Sequence, residues 1–234
     1  DYFDSIEDEY NPFASPLHGG SGAIQYELIS REQTLLLSFI TGITGTGFAF
    51  WILVERWNVN VFFLGILAVG IAILFSTPPF KLGSRGLGEI LSSIEIGLLP
   101  FVGTYMYLST KEFTIEFLLV GSYLVVLLFS WFLLTNLLDF IPDIRAEKRT
   151  LPTLIGQSRA IGLFKILFIG SFLIWSGILI IQQNGIYLIP IGLGFFLMGW
   201  KKVSVPFQIN DQAIKQILIS NLLQLTLLTT ALFF

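Results

Sequence analysis

The sequence predicts an all-α fold, a polytopic transmembrane helical bundle, and three observations carry that prediction. Of the 234 residues, 54% are hydrophobic and 12% charged, with a mean hydropathy of +0.79, too apolar a balance for a soluble domain of this length. The apolar residues run in stretches of about 20, the length of helix that crosses a bilayer. The basic residues collect in intervals that fall on one side of a membrane once those stretches alternate in direction.

The stretches 34–54, 57–80 and 117–138 contain no Asp, Glu, Lys or Arg, and 90–110 contains only Glu95. Each predicts a spanning helix. The run 166–200 is too long for one span, and Gln182, Gln183, Asn184 and Gly185 interrupt it, so it predicts a hairpin of two helices. A last helix is expected over 216–234, making seven in all. Gly42, Gly45, Gly47 and Gly97 lie within spans, where small residues let helices pack closely.

Alternation places 1–33, 78–89, 139–165 and 201–215 on one face. That face receives Arg31, Lys81, Arg85, Arg145, Lys148, Arg149, Arg159, Lys165, Lys201, Lys202 and Lys215, and the other receives Arg56 and Lys111. Eleven of the 13 Lys and Arg on one side make that side cytoplasmic by the positive-inside rule. Long polar loops on that face and tight turns on the other point to function at the long-loop face. The chain reads as a single domain over 1–234, surrounded by lipid, with no basic run for nucleic acid and no sign of an obligate protein partner. Having no cysteine, it has neither disulfides nor thiolate chemistry, and the lone His18 cannot build a histidine metal cluster. It opens at Asp1 without a charged leader and cleavable apolar stretch, and so is expected to lack an N-terminal portion.

On the loop-rich face, Asp1, Asp4 and Asp8 are spaced i, i+3 and i+7, which stacks three carboxylates on one side of a helical segment. Such like charges repel unless a divalent cation lies between them, and magnesium, held by a few carboxylates while sharing waters and substrate phosphates, suits the spacing. Taken alone, and extended by Glu7 and Glu9, the run reads equally well as a solvated acidic surface. A second ladder favours the metal. Asp139 and Asp143, at i and i+4, sit where the apolar run from Phe117 ends, with Asn136 one turn earlier. Carboxylates at the end of a membrane helix are costly unless they face a watery cavity or a cation. Two ladders could hold one or two magnesium ions and a diphosphate between them. Cationic donors for the diphosphate are at hand: Lys81 and Arg85 after Pro78-Pro79, and Arg145, Lys148 and Arg149 beside the second ladder. Gly83, Gly86 and Gly88 mark 81–89 as a close-approach loop, and Glu89 follows as a candidate anchor for it. Glu95, deeper in its span, is open between a structural charge, an aromatic-substrate contact and a cavity lining. The chemistry that fits is diphosphate departure from a long lipid chain, with metal and cations stabilising the leaving group and a dry aromatic-lined pocket protecting the allylic cation.

These segments, in this order, resemble the UbiA superfamily of intramembrane prenyltransferases over nearly the whole chain. Asp1-Tyr-Phe-Asp4-Ser-Ile-Glu-Asp8 resembles the family's first motif, N-D-x-x-D-x-x-x-D. Thr135-Asn136-Leu-Leu-Asp139-Phe-Ile-Pro-Asp143, followed by Lys148-Arg149-Thr150-Leu151, resembles the second, N-N-x-R-D-x-x-x-D with K-x-T-L. Ser76-Thr77-Pro78-Pro79-Phe80-Lys81 through Arg85-Gly86-Leu87-Gly88-Glu89 is similar to the linking Y-T-x-P-P loop and G-L-G-E segment. The resemblance implies a nine-helix fold of which two N-terminal helices lie outside this sequence. It implies magnesium as cofactor, held by Asp1, Asp4, Asp8, Asp139 and Asp143, with Asp1, Asp4, Asp139 and Asp143 catalytic. It also implies a polyprenyl diphosphate donor bound by Lys81, Arg85, Asn136 and Lys148, and an aromatic acceptor. Pro16-Leu-His18-Gly19-Gly20-Ser21-Gly22 is similar to the T-P-F-S-G-G-S-G loop of the naphthoate branch, which implies 1,4-dihydroxy-2-naphthoate as acceptor in menaquinone biosynthesis. Thr135 and Leu138 depart from the usual Asn and Arg, and Phe75 from the usual Tyr. Other acceptors (4-hydroxybenzoate, homogentisate or a glycerol phosphate lipid) stay open within the class, as does a secondary transporter outside it.

Overall fold

The computed structural model describes residues 2–8, 21–109, 112–182, 185–204 and 211–233. Over these residues the chain is helical, with one isolated bridge between Arg85 and Arg149 and no strand. A short helix α1 (Ser5–Asp8) precedes the long helices α2 (Arg31–Glu55) and α3 (Val59–Ser76). Next comes one continuous span built of α4 (Gly88–Ser93), a π-helical turn (Ile94–Leu98) and α5 (Leu99–Leu108). Then follow α6 (Ile115–Leu138), two short helices α7 (Phe140–Arg145) and α8 (Leu151–Ile155), and the long helices α9 (Gln157–Ile181), α10 (Ile189–Ser204) and α11 (Asp211–Phe233). Each of the seven expected spans has a counterpart among the described residues, and five of these helices are long and apolar enough to cross a membrane.

Local chemistry sets the boundaries. Ser30 and Gln33 close a reciprocal capping box at the start of α2. The Asn58 side chain accepts from the backbone N–H groups of Asn60 and Val61, starting α3 two residues later than the hydropathy run. That run continues to 80, yet α3 stops at Ser76. Pro78 forces the preceding Thr77 into an extended conformation, φ −92° and ψ 129°. In the third span, Leu99 N–H reaches back to Ile94, five residues rather than four. The widened turn lies directly before Pro100, whose missing N–H and ring a regular helix would not accommodate. Helix α9 starts at Gln157, earlier than the expected 166, because Arg159 and Lys165 sit on a helical extension beyond the purely apolar stretch.

The core lies between α6, α9 and α11. At one level Leu133, Leu134 and Leu137 pack on Ala160, Phe164, Phe168 and Ile217. At a second level Tyr123 and Leu127 pack on Trp175, Ile178, Leu179 and Leu228. The Trp175 indole donates to the Gln224 carbonyl at 2.8 Å, and Ser220 Oγ donates to the Phe195 carbonyl at 2.7 Å, pinning α11 to α9 and α10 without a charge in the apolar interior. Helices α2 and α3 expose Phe39, Ile43, Phe48, Trp51 and Phe63, side chains suited to lipid contact.

Candidate active site

Three segments distant in sequence meet at one end of the bundle: α1, the loop between α3 and α4, and the segment 139–156. The two loops are tied by the backbone, with Arg149 N–H donating to the Ser84 carbonyl at 3.2 Å. The opposite end is tied separately, where the Asn58 amide donates to the Met106 carbonyl at 3.0 Å and the Tyr105 hydroxyl to the Glu112 carbonyl at 2.9 Å. The turns before α3 and α6 thus lie at the end opposite the loops that bear Lys81 and Lys148.

Asp4 and Asp8 belong to one helical turn, closed by an N–H···O bond of 2.8 Å from Asp8 to Asp4. Lys81 Nζ lies 3.1 Å from Asp4 Oδ1 and donates to the Phe3 carbonyl at 3.1 Å. Lys81 itself holds a left-handed backbone conformation, φ 44° and ψ 50°, just before the turn Leu82–Ser84. Lys148 Nζ lies 3.7 Å from Asp8 Oδ1. Each lysine therefore links the first acidic motif to a different loop. Arg31 adds a further tie, its Nε donating to the Tyr2 carbonyl at 3.2 Å while its guanidinium lies 4.7 Å above the Tyr2 ring centre.

Asp139 and Asp143 are one turn apart, with Asp143 N–H donating to the Asp139 carbonyl at 2.7 Å. Asp139 is the residue at which α6 ends and α7 begins. Pro142 has no N–H with which to continue the α6 ladder, so the chain restarts at Phe140. Asp143 is buried and accepts a hydrogen bond from the Thr150 hydroxyl at 3.0 Å. Burial pushes its carboxyl up to about 7; Lys148 and the Thr150 hydroxyl pull it down, and the neighbouring Asp139 and Glu89 charges push it up.

Asn136 donates its amide to Glu89 Oε1 at 2.8 Å, and the same oxygen accepts Leu151 N–H at 2.8 Å. Arg85 is exposed and donates from Nη2 to the Pro79 carbonyl. That bond holds it against its own loop. Arg145 and Arg149 are exposed as well. Asp1, His18 and most of the glycine-rich segment around His18 lie outside the described residues.

The structure adds Thr150 to the residues singled out by spacing, and gives Glu89 a place among them. Thr150 stood in a quoted motif, but no periodicity says that its hydroxyl seeks a carboxylate seven residues earlier. Among the described residues no three acidic or histidine side chains close around a point as a metal cage. The donor set nevertheless fits magnesium, a hard cation that is bound through one or two carboxylates plus waters and substrate phosphates rather than by an all-protein cage.

Residues 1–225 match the sequence profile of the UbiA prenyltransferase family. No curated protein matches the chain by sequence. Among solved structures, the fold matches a UbiA homolog from Archaeoglobus fulgidus, itself bound to GPP and Mg2+, with a TM-score of 0.66 at 15% identity over 98% of this chain and 80% of that one. Sequence profile and helical architecture agree, and the chain is an integral membrane protein that belongs to the UbiA prenyltransferase family.

Proposed function

We propose that the chain transfers a polyprenyl group from a polyprenyl diphosphate to 1,4-dihydroxy-2-naphthoate, with loss of the acceptor's carboxylate and of diphosphate, in a magnesium-dependent reaction of menaquinone biosynthesis. The observation that carries the donor half is the pairing of Lys81 with Asp4 and of Lys148 with Asp8, which gathers cations and carboxylates from three segments at one membrane face. Alternating carboxylates and ammonium groups suit a metal-bound diphosphate, because each lysine can exchange its carboxylate for a phosphate oxygen when ligand and cation arrive together. The Archaeoglobus homolog's bound GPP and Mg2+ support the same donor chemistry here. Residues 1–234 belong to one catalytic domain, and the excess of basic residues on this face makes it cytoplasmic.

Asp4, Asp8, Asp139 and Asp143, with Asp1, would hold magnesium together with waters and the donor's phosphate oxygens, and the ion would supply positive charge that favours departure of the diphosphate. Lys81 and Lys148 bind its oxygens and keep the leaving group oriented. Asn136, anchored by Glu89, contributes an amide beside the second motif. The carbon–oxygen bond breaks with its electron pair going to diphosphate, the acceptor's carboxylate-bearing ring carbon forms the new carbon–carbon bond, and the carboxylate leaves as CO2, its bond pair returning to the ring to restore aromaticity. The apolar helices shield the allylic carbon from water in the interval.

The acceptor assignment rests on the similarity of segments 16–22 and 86–89 to the naphthoate branch. The test supplies the protein in membranes with magnesium, a labelled polyprenyl diphosphate, and dihydroxynaphthoate, 4-hydroxybenzoate, homogentisate and a glycerol phosphate lipid in parallel. Prenylated naphthoquinol that vanishes without magnesium and in Asp139→Asn is the expected result. Transfer to another acceptor overturns the naphthoate assignment alone. Absence of both transfer and diphosphate release overturns the donor chemistry and favours transport.

A further inference from the structure

We propose that Glu89 is a positioning residue for prenyl transfer, one whose Oε1 fixes Asn136 and the start of α8 relative to the lysine loop. The inference rests on the donor chemistry above and assigns a role outside the carboxylates that face the metal.

Glu89 is 1% exposed, so its carboxylate has left water at considerable cost. Two donors of different origin offset that cost at a single oxygen. Asn136 Nδ2 comes from the last turn of α6, and Leu151 N–H is one of the unpaired amides of the first turn of α8, each at 2.8 Å. The residue after which α8 begins is Thr150, whose hydroxyl holds Asp143. On its other side Glu89 follows Gly88, where a Cβ would stand 2.6 Å from the Gly83 carbonyl oxygen, so the loop that bears Lys81 is packed directly against its base. One carboxylate oxygen therefore sets three segments in register, and each segment carries a different part of the site.

Orientation is set as well as position. A carboxylate only accepts, so the Asn136 amide must turn its NH2 toward Glu89, which directs its carbonyl oxygen the opposite way. The second oxygen of Glu89 is buried and has no hydrogen-bond partner among the described residues. A brace serving stability alone would satisfy both oxygens, or dispense with the charge. Positioning needs an acceptor at the place of Oε1; it does not need the charge.

That distinction gives the test. Glu89→Gln keeps an acceptor in place, and the Leu151 N–H dictates which end of the amide faces it. Glu89→Asp keeps the charge but draws the acceptor back by one methylene, leaving a void no larger than that methylene. With the full chain in lipid nanodiscs, two quantities are measured: the affinity for inorganic pyrophosphate in the presence of magnesium, and the KM for polyprenyl diphosphate. Hydrogen exchange of the segment around Leu151 is followed in the free protein. Glu89→Gln is expected to stay near wild type in all three. Glu89→Asp is expected to lose roughly 10- to 100-fold in pyrophosphate affinity and to raise KM in parallel, the scale seen when a residue supporting metal and substrate ligands is displaced, with faster exchange around Leu151. Glu89→Asp performing as well as or better than Glu89→Gln, or a change in exchange without a change in affinity or KM, overturns the positioning role. If the wild-type protein transfers no prenyl group, the functional reading fails by itself; the pyrophosphate comparison of the two variants still decides the role of Glu89.

Discussion

Lys148 Nζ lies 3.7 Å from Asp8 Oδ1, so a cation that follows the second acidic motif answers a carboxylate of the first. With the Lys81–Asp4 pair at 3.1 Å, two lysines hold the short N-terminal helix against the rest of the site. Both lysine side chains keep 19% of their surface exposed, and Asp4 and Asp8 keep 34% and 13%, so the pairs are partly desolvated and water screens them only in part. In the proposed mechanism their value lies in what they offer an incoming diphosphate. Replacing either lysine by Met is expected to raise the KM for polyprenyl diphosphate roughly 10-fold or more, the scale of a lost hydrogen bond to a charged group. Folding should change little. Steady-state kinetics at two ionic strengths checks this, since the wild-type KM should rise with salt and the variants' KM should rise less.

Asp4 and Asp139 lie on different segments and serve the same cation in the proposed mechanism, so their loss should have the same signature. Asp4→Asn and Asp139→Asn are each expected to lower kcat/KM about 100-fold, within the range for disturbed metal ligation. Excess magnesium should recover part of that loss. Activity measured across a magnesium titration separates this from a folding defect, which magnesium would leave unchanged.

The buried Asp143 makes stability pH-dependent. Its carboxyl titrates near 7 in the fold, raised chiefly by burial, against an ordinary value near 3.8. A raised carboxyl stabilises the fold while it is protonated. That contribution is complete below about pH 3.8, declines as pH rises, and is gone above about 7. Magnesium-free protein should therefore melt at lower temperature at pH 8 than at pH 5.5, and Asp143→Asn should flatten the dependence. Thermal unfolding of both proteins at the two pH values checks this; equal slopes would show that Asp143 is not the group responsible.

Much of this was legible in the sequence for a physical reason: lipid contact demands long apolar stretches, so every long helix had announced itself. The ends were less legible. Hydropathy does not register that Pro78 stops α3 at Ser76, or that Pro142 divides Asp139 from Asp143 between two helices. Within the candidate site, spacing pointed to the carboxylates, because like charges at helical intervals repel unless a cation lies between them. It could not tell that Arg85 bends back onto Pro79 while Lys81 and Lys148 reach Asp4 and Asp8, since rotamers depend on contacts between segments far apart in the chain. The Glu89 and Thr150 bonds escaped for the same reason, each being satisfied by a partner no local pattern names.

Gly88 gives a test of how tightly the loop must close. A Cβ there would lie 2.6 Å from the backbone oxygen of Gly83, and backbone cannot move aside as the tip of a side chain can. Gly86, at φ +81°, adds a conformation that favours glycine, and a side chain there would run into Leu154 of α8. Gly162, inside α9, meets nothing within 4 Å and serves as the control. Gly162→Ala should be neutral or stabilising by up to about 1 kcal/mol, through reduced freedom of the unfolded chain. Gly88→Ala should destabilise by about 1–3 kcal/mol, the cost of forced overpacking. It should also raise the KM for polyprenyl diphosphate, because the displaced loop carries Lys81 on one side and Glu89 on the other. Melting temperature and KM measured together decide the matter: a Gly88→Ala protein that melts early yet binds donor normally would show that the loop's close approach serves stability alone.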